Sequence, residues 1–142
     1  MILVAKTRIL LTGSRDWAYP LIVEAYLDQL TRVQLALGKE MLLVHGDCPT
    51  GADAQAQAWA DRHGVQTERH PASEHGKWPV CGPRRNAYMV SLGATQAVGF
   101  IGSCSRPACR DPYAHGSHGA TGCLRLAKDA RILTMVIRAE YL

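Results

Sequence analysis

The sequence predicts one α/β domain: a mostly parallel five-stranded sheet in the order 3-2-1-4-5, with helices on both faces as a three-layer sandwich. Three observations carry that expectation. Short apolar runs alternate with longer stretches of helical spacing, Gly or Pro marks most of the junctions, and the third apolar run is the most polar, as suits a sheet edge. Right-handed crossovers then leave few arrangements besides this order.

The first strand is Thr7 to Thr12, with an apolar centre at Ile9-Leu10-Leu11, and it ends in the turn Gly13-Ser14-Arg15-Asp16-Trp17. Pro20 suits a first helical turn, Ile22, Ala25, Tyr26, Leu30, Val33 and Leu37 recur at helical spacing, and Gly38 stops the helix. The second strand is Glu40 to His45. It runs into His45-Gly46-Asp47-Cys48-Pro49-Thr50-Gly51-Ala52-Asp53 and an alanine-rich helix from Ala52 to His63, ended by Gly64. Val65 to His70 is the polar third strand. After a Gly/Pro-rich loop with Trp78, a helix is expected over Pro83 to Val90, with Arg84, Arg85 and Asn86 in its first turn. Arginines there oppose the helix dipole unless an anion or carboxylate is near. Gln96 to Ile101 is the fourth strand, residues 102–118 are a long loop, Gly119 to Ala130 is the last helix, and Arg131 to Ile137 is the fifth strand.

Composition narrows the classes. A chain of 142 residues, 47% hydrophobic and 20% charged, is one globular domain spanning residues 1–142. No apolar run has membrane-spanning length, and Met1 to Ala5, followed by Lys6 and Arg8, reads as strand and not as a signal peptide, so a cytoplasmic protein is expected. The net charge of +4 is mild and scattered, which argues against dedicated nucleic-acid binding. An odd set of five cysteines argues against a disulfide framework.

In the predicted strand order the topological switch lies between strands one and four, where ligands bind beyond the strand carboxyl ends. Two glycines at the Gly46–Gly51 turn bring backbone amides close to a helix start, an arrangement that favours anions and above all phosphate. It is not a Walker loop, because no Lys-Ser or Lys-Thr follows Gly51. A tight connection whose glycines only make the turn, with Asp53 complementing the helix dipole, is the competing reading.

Four motifs in order, Thr12-Gly13-Ser14-Arg15-Asp16, His45-Gly46-x-Cys48-Pro49-x-Gly51-Ala52-Asp53, Gly82-Pro83-x-Arg85-Asn86 and Gly116-Ser117-His118-Gly119-Ala120-Thr121, resemble the SLOG superfamily over roughly residues 7–137. This Rossmann-like group includes the LOG phosphoribohydrolases and the SMF/DprA proteins, and the nearest branch is the YspA/YpsA-related one of bacteria and phages. The resemblance implies a nucleotide or nucleotide-derived ligand and a homo-oligomer. It also brings two rivals, a LOG-like nucleoside monophosphate phosphoribohydrolase and a DprA-like single-strand DNA binder. The LOG acidic residue is absent after Thr121, where Gly122-Cys123 follow.

The expected ligand groups are the amides of Gly46, Thr50, Gly51 and of Gly116, Ser117, His118, Gly119 and Thr121. Arg85 with Asn86, and Arg15 beside Gly13 and Ser14, would meet phosphate oxygens. Asp53 or Asp47 would accept from ribose hydroxyls, and these two are the carboxylates available for hydrolysis, although no spacing nominates either. Trp17 would either stack on a base or pack a helix. No cofactor is required for this reading. Cys104, Cys109, His115 and His118 form a loose Cys2His2 pattern, which makes a structural zinc a candidate and places His118 in two competing roles.

Overall fold

The computed structural model describes residues 5–109 and 116–142, so the reading of Met1 to Val4 and of His115 falls outside the described residues. Strands β1 (Lys6–Gly13), β2 (Glu40–His45), β3 (Gln66–Arg69), β4 (Gln96–Ile101) and β5 (Leu133–Arg138) form one sheet ordered β3-β2-β1-β4-β5. All neighbouring pairs are parallel. The connecting helices are α1 (Pro20–Ala36), α2 (Gly51–His63), α3 (Cys81–Ser91) and α4 (His118–Asp129).

Strand alternation sends side chains to two cores. Ile9, Leu11, Leu43, Val98 and Phe100 pack with Trp59 of α2 and Val23 and Leu27 of α1. Leu10, Val44, Ala97 and Ile101 pack with Met89 of α3 and with Cys123 and Leu124 of α4. A fully buried residue such as Phe100 contributes about 2 to 3 kcal/mol through the area it removes from water. Trp17 belongs to the first core: it is 3% exposed, meets Phe100 edge-on at 5.6 Å, and its indole N–H donates to the Tyr19 carbonyl. Packing, not base stacking, explains it.

Two element starts differ from the sequence reading by two residues. α3 begins at Cys81, because the amides of Val80 and Cys81 both reach the Lys77 carbonyl and that of Arg84 reaches Val80, winding a turn ahead of Pro83. Arg84 and Arg85 therefore lie beyond the first turn, and the expected conflict with the helix dipole does not arise. Arg131 takes a positive φ of 62°, which delays β5 to Leu133. β3 is the short, charged edge expected, and its Glu68 is held by Arg8 of β1 at 2.6 Å.

The register between β1 and β4 runs from Ile9 opposite Gln96 to Gly13 opposite Phe100, and the Ser14 amide extends the ladder to the Phe100 carbonyl. From there the chain turns one way into α1 and the other way toward α4. The gap between these exits is the switch point.

Candidate ligand site at the carboxyl edge of the sheet

The β2–α2 turn is braced from within. Asp53 sits in the first turn of α2, 7% exposed, and its Oδ2 accepts the Cys48 amide at 3.3 Å while the Gly46 amide adds a second backbone bond. Its other oxygen has no partner among the described residues. Burial pushes this carboxyl above the usual carboxylate range, against the opposing pull of His45, the amides and Arg85. His45 is itself fixed: Nδ1 accepts the Asp47 amide at 3.0 Å, and Nε2 pairs with Gln57 Oε1 at 2.7 Å.

Arg85 locks the turn from α3. One guanidinium nitrogen donates to the carbonyls of Gly46 and His70, and Nε donates to Asn86 Oδ1 at 2.9 Å. A Cβ on Gly46 would fall 2.5 Å from that guanidinium, so any larger residue there would displace the Arg85 side chain. Asn86 in turn donates to the Gly119 carbonyl at 3.2 Å, tying this cluster to the start of α4. Gly51 has a φ of 71° and presses on the β1–α1 turn, where a Cβ would lie 2.2 Å from the Ser14 carbonyl oxygen. That same carbonyl accepts the Ala52 amide at 3.3 Å. Thr50, the residue before α2, makes no side-chain cap and is exposed.

The β4–α4 side is built differently. Ser14 Oγ accepts the Gly102 amide at 2.7 Å and lies 2.8 Å from Ser117 Oγ, so one buried serine joins the ends of β1 and β4 to the start of α4. Ser117 precedes α4 but does not cap it with its side chain, and the first turn carries no acidic residue. Gly119 has open space where a Cβ would be. Gly116, paired with Ser103 in an antiparallel bridge, sits close to Thr121 Oγ1.

Between the two exits lies a cleft of about 260 Å³, lined by Asp16, Trp17, Tyr19, Gly102, Ser103 and Cys104 among others. A larger groove of about 570 Å³ lies between α3 and α4 near Ala94 and Ile132, at the opposite end of the sheet, and contains none of the predicted ligand groups. Of the predicted residues, Gly13, Ser14, Ser117, His118 and Gly119 surround the switch point. Arg15 is exposed beside it. Asp47 pairs with Arg69 at 3.6 Å, on the β3 side, and Asp53 lies inside the braced turn. Neither lines the cleft. Tyr19, Gly102 and Ser103 were missed by the sequence reading, because only the parallel pairing of β1 with β4 brings residues 14–19 against residues 102–105.

Close to this cleft, the ligand atoms of Cys104, Cys109 and His118 all lie within 4.8 Å of one another, a Cys-Cys-His cluster capable of holding a metal ion. Cys48, Cys81, Cys104 and Cys123 are free thiols. Cys81 and Cys123 are buried, and burial lifts the Cys123 thiol to about 11. No helix among the described residues is long and apolar enough to cross a membrane.

The model of the YspA, cpYpsA-related SLOG family (YAcAr) matches residues 7–75. The match holds β1 to β3 and the first two motifs, while Gly82–Asn86 and Gly116–Thr121 lie beyond it. No curated protein matches the chain.

Proposed function

Because the chain belongs to the SLOG superfamily, in its YspA- and cpYpsA-related branch, we propose that it binds a nucleotide or nucleotide-derived ligand at the switch between β1 and β4, to sense, process or sequester it. The observation that carries this reading is the uncapped, acid-free start of α4, joined through Ser117 and Ser14 to a cleft at the carboxyl ends of the two central strands. Phosphate would meet the first amides of α4, with Arg15 closing from the β1–α1 turn. The sugar and base would enter the cleft, where the Asp16 carboxylate and the half-exposed Tyr19 ring are the groups on offer. The braced β2–α2 turn holds the floor and gives fewer amides to the ligand than its sequence promises.

Hydrolysis of an N-glycosidic bond is the second reading, and one observation favours it. Asp53 is a buried carboxyl raised above its ordinary range with one oxygen unpartnered, as an acid catalyst requires. Its burial away from the cleft places it behind the binding reading. Zinc is the natural ion for the Cys104, Cys109 and His118 cluster, in a structural role, and the binding itself needs no cofactor. Self-association, implied by the family, would use the exposed apolar edge at Leu133, Met135 and Val136 of β5. Nucleic acid and membrane are not the partners proposed.

The test is calorimetry and thermal shift with nucleoside mono-, di- and triphosphates, followed by chromatography of the ligand. A ligand at a hundred times its dissociation constant stabilises the fold by about 2.7 kcal/mol. Recovery of intact ligand supports binding, and recovery of free base with sugar phosphate supports the hydrolase. If no nucleotide shifts the transition, the reading fails.

A further inference from the structure

The Cys104, Cys109 and His118 cluster lies at the neck of the β4–α4 connection. Ser103 and Gly116 pair across this neck, and the Ser117 amide donates to the Gly102 carbonyl at 3.0 Å. Cys104 follows the outgoing side of the bridge, His118 follows the returning side as the first residue of α4, and Cys109 folds back toward both. The same outgoing side, Ser103 and Cys104, forms a wall of the switch-point cleft. The returning side carries Ser117.

A tetrahedral zinc with Zn–S of about 2.3 Å and Zn–N of about 2.0 Å holds sulfur and nitrogen about 3.5 Å apart. Cys109 Sγ and His118 Nε2 are 3.5 Å apart. The three ligand atoms spread to no more than 4.8 Å, a gap that rotation of the two half-buried cysteines and the exposed histidine closes. A contact with Arg106 opposes the ion: its guanidinium lies 3.4 Å from His118 Nδ1, which must carry a proton once Nε2 binds metal. Arg106 is exposed and the contact is long, so it gives way at little cost.

We propose that these three side chains bind one thiophilic divalent cation, and that the ion clasps the neck so as to fix the cleft wall and the start of α4 together. Metal occupancy then regulates the site. Without it, the two sides of the neck are tied by the Ser103–Gly116 bridge, the Ser117–Gly102 backbone bond and the Ser14 hydroxyl; with it, both sides move as one body. The control of ligand affinity rests on the nucleotide-binding reading, whereas the clasp does not. Binding releases the thiol protons, so the ion is lost in acid.

The experiment uses the reduced full chain loaded with cobalt(II) or zinc. Thiolate-to-cobalt charge-transfer absorption at one ion per chain is expected, retained in Cys48→Ser and lost in the Cys104→Ser/Cys109→Ser double variant. Circular dichroism checks that the variant is folded. Hydrogen exchange should slow across residues 102–109 and 116–121 on zinc addition in the wild type alone, and nucleotide affinity should fall about tenfold on chelation. Absence of the cobalt band, or its survival in the double variant, overturns the ion. Exchange unchanged by zinc, or affinity for a bound nucleotide unchanged by chelation, overturns the clasp. If no nucleotide binds in either state while the band and the protection appear, the binding reading alone falls.

Discussion

The β2–α2 turn and the β4–α4 turn both lead from a central strand through glycine to a helix, yet they dispose of their polar groups in opposite ways. In the first, the amides of Gly46, Asp47, Cys48 and Ala52 go to Asp53, His45, Asp53 and Ser14, and the Gly46 carbonyl goes to Arg85. In the second, Ser117 turns its hydroxyl to Ser14 and leaves α4 without a side-chain cap, with open space beside Gly119. Phosphate-friendly sequence therefore has two fates. A turn that satisfies itself becomes scaffold, and a turn that does not is available to a ligand.

Mutations in the two turns should separate stability from binding. The largest loss is expected for Gly51→Ala, which adds a methyl 2.2 Å from the Ser14 carbonyl oxygen at a positive φ. A destabilisation on the order of 3 kcal/mol should appear as a lowered denaturant midpoint. Arg85→Ala removes charged donors from the Gly46 and His70 carbonyls and should cost about 2 kcal/mol by the same measurement. Loss of ligand binding in that variant would then follow from a loosened turn, and a binding defect without a stability defect would make Arg85 a ligand group after all.

Asp53→Asn sharpens the scaffold side through pH. A carboxyl whose folded pKa is raised contributes stability that is fully present below its unfolded value, near 4, and is lost as pH rises through the folded value. The wild type should therefore lose stability relative to the variant between acid and neutral pH. Parallel denaturation curves at each pH would show that Asp53 is ionised without cost. The smallest change in stability is expected for Gly119→Asp on the open side. A carboxylate in the first turn of α4 should stabilise the helix by about 0.5 to 1 kcal/mol while repelling phosphate, so the melting temperature rises as nucleotide affinity falls. Undiminished affinity would move the anion site elsewhere.

The sheet was legible because its strands are short apolar runs separated by glycine and proline, and the polar Gln66–Arg69 could only be an edge. Boundaries failed where backbone bonds outvoted residue identity. Pro83 suits an N-terminal turn, but a proline is tolerated anywhere within it, and the Lys77 carbonyl set the true start of α3. The sequence names candidate residues for the site but not the bonds they make. Arg85 reads as a phosphate ligand, and the sequence does not show that the α3 packing also delivers it to two carbonyls; Ser14 and Ser117 are 103 positions apart, so no local pattern announces their contact. Of Cys104, Cys109, His115 and His118, the first two and the last do come together, since they lie on one connection whose neck closes, and His115 lies outside the described residues.

The serine pair has a further consequence, which concerns direction. A hydroxyl has one hydrogen to give, and Ser14 Oγ already receives the Gly102 amide. An anion that takes the hydrogen of Ser117 obliges Ser14 to turn its own hydrogen toward Ser117. Gly102, Ser14 and Ser117 then line up head to tail, and each polarises the next. Charge arriving at the start of α4 is thus felt on a backbone amide just past the end of β4, and the Gly102 amide resonance should move with the ionisation state of whatever lies beyond Ser117.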